Sequence, residues 1–174
     1  KNWLDMLTAF CATFKDQPEA TLVFKLGHRN REQALIDLLM VFPRLESFRC
    51  RVILLHGFID EQAYSQLLRQ SHYAVNASYG EGQCLPLMEY LSCGKPAVAP
   101  CHSALADYID SDIAFVVDSW DDATTWPHDP RVAYRTLRRQ IDWSSLCTAY
   151  QRAYACYPNQ PEAYRPTGET ALPR

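Results

Sequence analysis

The sequence predicts an α/β domain, a doubly wound parallel sheet with helices over both faces and further helices at its C-terminal end. Three observations predict it. Short apolar runs alternate with amphipathic stretches five times. The connections between them are short. The runs themselves are short and apolar, as suits strands buried on both sides.

The elements follow in order. Trp3, Leu4, Leu7, Phe10, Cys11 and Phe14 recur at spacings of three and four, one apolar stripe of a helix over residues 2–15, ended by Gln17-Pro18. Ala20 to Gly27 reads as a buried strand closed by glycine, and His28 to Arg31 as a polar turn. Ala34 to Phe42 is helical and stops at Pro43. Arg51 to His56 is the second strand, with Gly57 closing it. Asp60 caps a helix through Leu68. Tyr73 to Ala77 is the third strand, and Ser78 to Gln83 a loop into a helix from about Cys84 to Cys93. Pro86 suits its first turn and Gly94 its exit. Ala97 to Ala99 is the fourth strand, Ala104 to Ile109 a short helix, and Ala114 to Val117 the fifth strand. With right-handed crossovers these elements make a Rossmann-like domain.

The remainder reads differently. Ser119 to Asp129 is expected to be a polar loop containing Trp120 and Trp126. Residues 131–157 are expected to form two helices broken near Asp142, which would cap the second. Residues 1–157 would be the domain and residues 158–174, rich in Pro and polar residues, a tail or linker.

Composition narrows the function. The 174 residues fit one domain, and about half are apolar. A net charge of −3 without a long basic run argues against a nucleic-acid groove. The seven cysteines contain no Cys-x-x-Cys pair, and several sit in apolar runs, so reduced thiols and a cytosolic setting are expected. No metal-ligand cluster is visible, no apolar stretch approaches the roughly 20 residues that cross a bilayer, and no signal-peptide pattern is present. The chain begins with Lys1, which suggests a piece of something longer.

Ligands of open parallel sheets bind beyond the carboxyl ends of the strands. The richest stretch there is Ser78-Tyr79-Gly80-Glu81-Gly82-Gln83-Cys84-Leu85-Pro86-Leu87-Met88-Glu89, which follows a strand and opens a helix. Gly80 and Gly82 would let the backbone turn sharply and a ligand come close. The first helical turn offers backbone N–H groups and a positive dipole end, which suit a phosphate. Glu81 and Glu89 flank that turn and would accept hydrogen bonds from hydroxyls. A diphosphate joined to two sugars meets both demands. Singly, Glu81 reads as a turn residue and Glu89 as an exposed helical one.

Together they resemble a family. Glu81 and Glu89 form Glu-x7-Glu within Glu-Gly-Gln-Cys-Leu-Pro-Leu-Met-Glu, followed by Leu91-Ser92-Cys93-Gly94-Lys95-Pro96-Ala97-Val98-Ala99. This gapless string is similar to the Glu-Gly-Phe-Gly-Leu-Pro…Glu-Ala-Met-Ala-Cys-Gly-x-Pro-Val-Val-Ala signature of retaining glycosyltransferases with the GT-B fold. Arg51 to Gly57 looks like the strand bordering the nucleotide base, and Asp142-Trp143 like the start of the family's late helix. The resemblance makes residues 1–157 the family's C-terminal, donor-binding domain without its first strand. It implies a donor-binding domain that transfers a sugar, hexosyl in type, from a nucleotide-diphosphate sugar with retention. The acceptor would be a glycan or a lipid-linked molecule, as in polysaccharide synthesis. Glu81 would face the donor sugar as the catalytic-site residue and Glu89 would hold the ribose. Gly82 and the backbone N–H groups of Gln83, Cys84 and Leu85 would meet the diphosphate, and Gly57 and Phe58 would border the base. His102 and Ser103 follow the fourth strand, where the family has a small polar or Gly-rich loop near the sugar, and would contact the nucleotide sugar. No cofactor or tightly held metal is implied. The partners implied are the nucleotide sugar and an N-terminal acceptor-binding domain outside this chain, through which a peripheral membrane association would arise.

Two features depart from the family. Cys84 stands where relatives carry glycine, and the basic residues that neutralise the diphosphate lie upstream of Lys1. The chain alone is therefore expected to bind donor at best, without turnover. His28, Arg29 and Arg31 are weaker anion candidates, while His56, His72, Trp120, Trp126 and Trp143 read as structural. Two other functions fit the fold less well: a sugar-nucleotide epimerase half, which would need different acid and base residues, and a non-catalytic nucleotide-binding or interaction domain, against which the Glu pair argues.

Overall fold

A computed structural model describes residues 2–27, 31–126 and 129–159. The chain is α/β and divides into two compact units, Leu7–Gln70 and Lys1–Met6 with Ser71–Arg174. The division falls within the first helix, α1 (Trp3–Thr13). The anion candidates His28 and Arg29, the side chain of Arg31 and the segment from residue 160 lie outside the described residues.

In the unit Leu7–Gln70, β1 (Thr21–Leu26) pairs in parallel with β2 (Arg51–His56), Leu22 facing Val52 and Phe24 facing Leu54. Between them run α2 (Arg31–Val41) and a 3-10 turn, Phe42–Arg44, where Pro43 stops the helix. Leu7, Phe10, Cys11 and Phe14 form the buried stripe of α1, with the rings of Phe10 and Phe14 packed edge to face at 4.8 Å. Cys11 is buried there, and burial, with the Cys50 thiol beside it, pushes its thiol up to about 12. Asp60 caps α3 (Glu61–Gln70): its carboxylate accepts the Ala63 N–H at 2.7 Å.

In the other unit, β3 (Ala74–Val75), β4 (Ala97–Pro100) and β5 (Ala114–Val117) form a parallel sheet in that order. The central strand, β4, is buried throughout. The five strands thus pair in parallel as predicted, as a two-stranded and a three-stranded ladder. Leu87 and Leu91 of α4 (Leu85–Ser92) pack with Ala97, Ala99, Leu105 and Ile109 in the core. Gly94 ends α4 at φ +70° in a Schellman motif: its N–H reaches the Leu91 carbonyl at 2.9 Å and the Lys95 N–H that of Tyr90 at 3.1 Å.

The stretch after β5 corrects the sequence reading. Ser119–Thr125 is a strand, β6, and Arg135–Ile141 is its antiparallel partner, β7, where a loop and a helix were expected. Asp121 lies opposite Arg139 and Asp122 opposite Arg138, with Arg–carboxylate distances of 3.3 and 2.9 Å. Opposite charges directly across a ladder support the pairing. Only the second expected helix forms, as α5 (Trp143–Asn159), capped as expected by Asp142, whose carboxylate accepts the Ser145 N–H at 2.9 Å. Leu146, Ala149, Tyr150 and Ala153 are its buried stripe. Trp120, Trp126 and Trp143 are about half exposed. All seven cysteines are free thiols, and no described helix is long and apolar enough to cross a membrane.

Candidate functional site

The loop from β3 to α4 is tied together by one buried side chain. Asn76 accepts the Ser78 N–H on its Oδ1 at 2.8 Å, which turns the chain immediately after the strand. Its Nδ2 donates to Glu81 Oε1 at 3.0 Å and lies 3.1 Å from Cys84 Sγ. Ser78 Oγ donates to the same Glu81 oxygen at 2.5 Å. The Glu81 carboxylate is therefore fixed by two donors that precede it in the loop. Its backbone is held from the other side, by the loop after β4. The Glu81 N–H donates to Ser103 Oγ at 3.1 Å, and the Ala104 N–H approaches the Glu81 carbonyl at 3.5 Å.

The helix mouth follows. Cys84 is the residue before α4 and takes a left-handed conformation, φ 55° and ψ 60°. This accounts for the glycine at that position in the resembled signature, because a left-handed turn favours glycine. Pro86 lies in the first turn, as expected. The first N–H groups of a helix lack intrahelical acceptors, and the dipole adds partial positive charge. Gly82, Gln83, Leu85 and Pro86 are exposed, so the mouth is open to solvent. Glu89 is also exposed, one turn along from Leu85 on the same outer face of α4. Behind the mouth, Tyr108 donates to the Gln83 carbonyl at 2.8 Å. Burial, then the neighbouring Cys84 and Glu81, push the Tyr108 phenol up to about 12, so it stays a donor at neutral pH.

Of the two reasons the sequence offers for Gly80 and Gly82, the structure does not bear out the sharp turn. Neither has positive φ, and a Cβ at either would meet nothing within 4 Å. The turn therefore does not need them for its own conformation, and what they leave is clear space above the backbone.

Ser103, like Cys84, is left-handed, at φ 48°. His102 beside it is only 2% exposed, and its Nδ1 lies 3.1 Å from Ser103 Oγ. Burial and then the Arg139 charge lower its pKa from the ordinary 6.5, outweighing the Ser78 backbone and the Glu81 carboxylate, which favour the charged ring. Sequence reasoning missed Arg139 and Arg138, because β7 was read as helix. The Arg139 N–H donates to the Tyr79 carbonyl at 2.9 Å, and the Arg138 guanidinium sits 4.7 Å from the Tyr79 ring centroid. The charge alternation between residues 119–125 and 135–141 was the available signal.

Of the residues singled out, Glu81, Gly82, Gln83, Cys84, Leu85, Glu89, His102 and Ser103 lie in one unit, the first six on the β3–α4 segment, Ser103 bonded to Glu81 and His102 facing Ser103. Gly57 and Phe58 lie in the other unit, after β2, with Gly57 at φ +90° and Phe58 94% exposed. Among the described residues no group of three or more His, Cys, Asp or Glu could hold a metal ion.

Comparison with curated proteins finds no match. A family model described as "Glycosyl transferases group 1" matches residues 1–126, a span that includes the whole β3–α4 segment and the β4 exit. That match covers more than half of the chain, and with the parallel α/β fold it shows that the chain belongs to the group 1 glycosyl transferases.

Proposed function

We propose that this chain binds the donor, a nucleotide-diphosphate sugar, for a transfer that retains configuration at the anomeric carbon. The observation that carries the reading is the Glu81 carboxylate, fixed by Asn76 and Ser78 beside an open helix mouth with Glu89 exposed one turn beyond. A phosphate suits the helix mouth and hydroxyls suit the two carboxylates. In the transfer, the bond from the anomeric carbon to the diphosphate oxygen breaks and its electron pair leaves with the diphosphate. An acceptor hydroxyl oxygen bonds to that carbon and passes its proton to the departing diphosphate oxygen. Positive charge grows on the sugar beside Glu81, and negative charge on the diphosphate at the first-turn N–H groups of α4. Donors fixed in advance at the developing charge lower the barrier. Glu81 is not assigned as a covalent nucleophile. Glu89 would bind the ribose hydroxyls, and Gly82, Gln83, Cys84 and Leu85 the diphosphate. The acceptor, a glycan or lipid-linked molecule, would be held by a separate N-terminal domain, on the cytoplasmic side, with no metal required. The 174 residues alone would bind donor without turning it over.

Calorimetric titration with UDP, GDP and ADP tests this, with Glu89→Ala in parallel. One nucleotide is expected to bind, and Glu89→Ala to weaken it about tenfold or more, the loss of charge-assisted hydrogen bonds. Tight binding indifferent to Glu89→Ala would favour a non-catalytic nucleotide-binding role. Binding of none of the three would overturn the reading, and sugar transfer by the chain alone would refute its inactivity.

A further inference from the structure

The reading above gives the ring of His102 no task, yet it is among the most deeply buried side chains of the unit. An apolar side chain would fill that place without the cost of desolvating an imidazole. The ring instead lies beside groups that hold the turn carrying Glu81. On one side Nδ1 faces Ser103 Oγ at 3.1 Å, the same oxygen that accepts the Glu81 N–H at 3.1 Å. On the other side the Ser78 backbone lies against the ring, while Nε2, fully buried, has no partner of full hydrogen-bond geometry. The donor Ser78 Oγ, which grips Glu81 Oε1, belongs to that same residue. A hydroxyl has one proton and two lone pairs. If Ser103 gives its proton to Nδ1, a lone pair is left directed at the Glu81 N–H.

We propose that His102 is a positioning residue whose buried ring orients the Ser103 hydroxyl onto the Glu81 amide and so fixes the place of the Glu81 carboxylate. That this placement governs recognition of the donor sugar rests on the function proposed above. The groups that bear on the ring are Arg139 from β7 and Glu81 and Ser78 from the β3–α4 loop. Burial, and then the Arg139 charge, favour the neutral ring. In acid the charged ring makes Nδ1 a donor, so Ser103 Oγ must accept from both Nδ1 and the Glu81 N–H while its own proton turns elsewhere, and the competition weakens its hold on the Glu81 N–H.

The test uses the full chain as wild type, His102→Asn, His102→Phe and Ser103→Ala. Its first readout, amide hydrogen exchange at Glu81 by NMR, needs no ligand. His102→Phe and Ser103→Ala are expected to speed Glu81 exchange by about tenfold, one hydrogen bond of ordinary net strength, while the β4 amides keep their protection. His102→Asn, whose amide oxygen replaces Nδ1 as acceptor, restores it. Wild-type protection, corrected for intrinsic exchange, falls as the pH drops below the ordinary histidine value of 6.5, and that of His102→Asn does not follow. Glu81 exchange unchanged in His102→Phe, or equal loss in His102→Asn and His102→Phe, overturns the proposal. The second readout compares UDP, GDP and ADP with their glucose or mannose esters. His102→Phe is expected to abolish the added affinity contributed by the sugar. Altered exchange in a protein whose wild type binds none of these probes would leave His102 its hold on the loop and refute the donor reading alone.

Discussion

Asn76 Nδ2 and Glu81 Oε1 lie 3.0 Å apart across the turn that leaves β3, and this bond joins the folding of the loop to the placement of its carboxylate. Asn76 is 6% exposed and uses both ends of its amide: Oδ1 shapes the turn at Ser78, while Nδ2 reaches Glu81 and Cys84. Asn76→Ala removes all three contacts. It is expected to destabilise the chain by about 2–3 kcal/mol, since it deletes a hydrogen bond to a charged group and strands a buried N–H. The urea midpoint should fall with the slope unchanged. A midpoint equal to wild type would mean that the loop does not depend on Asn76.

Cys84 tests the helix entry. Its left-handed backbone costs a residue with a Cβ about 1–2 kcal/mol. Cys84→Gly removes that strain but adds chain entropy to the unfolded state, so stability should stay within about 1 kcal/mol of wild type. Cys84→Val, branched at Cβ, should lose about 1–3 kcal/mol. Thermal melts of the two variants decide it: equal losses would place the cost in the missing thiol and its 3.1 Å contact with Asn76, and not in the backbone.

Much of this was legible in the sequence. The strand and helix order through Val117 follows from short apolar runs alternating with period-3.6 stretches, because strands buried on both faces and helices buried on one leave those two patterns. Pro86 and Gly94 mark the ends of α4 for local steric reasons, and Asp60 and Asp142 cap where they were expected to. The β6–β7 hairpin was not legible in the same way. Its ladder joins residues distant in sequence, such as Asp122 and Arg138, and its polar faces give little hydrophobic period. The site was legible as a segment and not as a network. Glu81 and Ser103 stand out in the sequence, but that Asn76 grips one end of Glu81 and Ser103 the other depends on the parallel neighbours β3 and β4. Gly80 and Gly82 were given a backbone reason that their dihedral angles do not support.

The hairpin offers a charge test. Asp122 and Arg138 are each a little over a third exposed, so solvent screens their attraction. A double-mutant cycle with Asp122→Ala and Arg138→Ala should give a coupling of about 0.3–1 kcal/mol, smaller in high salt. Exchanging the charges, Asp122→Arg with Arg138→Asp, should recover most of the stability lost by Arg138→Asp alone, because the pair is directly opposed in the ladder. A zero coupling at low salt would show that β6 and β7 are held by their backbone ladder alone.

Asp129 organises the start of the segment that leads into β7. Its carboxylate accepts the N–H groups of Arg131, Ala133 and Tyr134 at 3.1, 2.8 and 3.0 Å and the Arg131 guanidinium at 3.3 Å. These bonds hold Val132 between them in a left-handed conformation, φ 54°, that a β-branched residue rarely adopts. Burial alone would raise the Asp129 pKa, but the amides of Tyr134, Ala133 and Arg131 and the guanidinium together bring it below its ordinary 3.8. A carboxyl depressed by folding stabilises fully above its unfolded value and ceases to do so as the pH falls through its folded value. Protection of the Ala133 and Tyr134 amides should therefore persist from neutral pH through 3.8 and fail only in stronger acid. Asp129→Asn, which keeps the shape but not the charge, should lower that protection at neutral pH and remove its acid transition. If Asp129→Asn protects these amides as well as Asp129 does, the carboxylate charge is not what holds Val132 in its strained backbone.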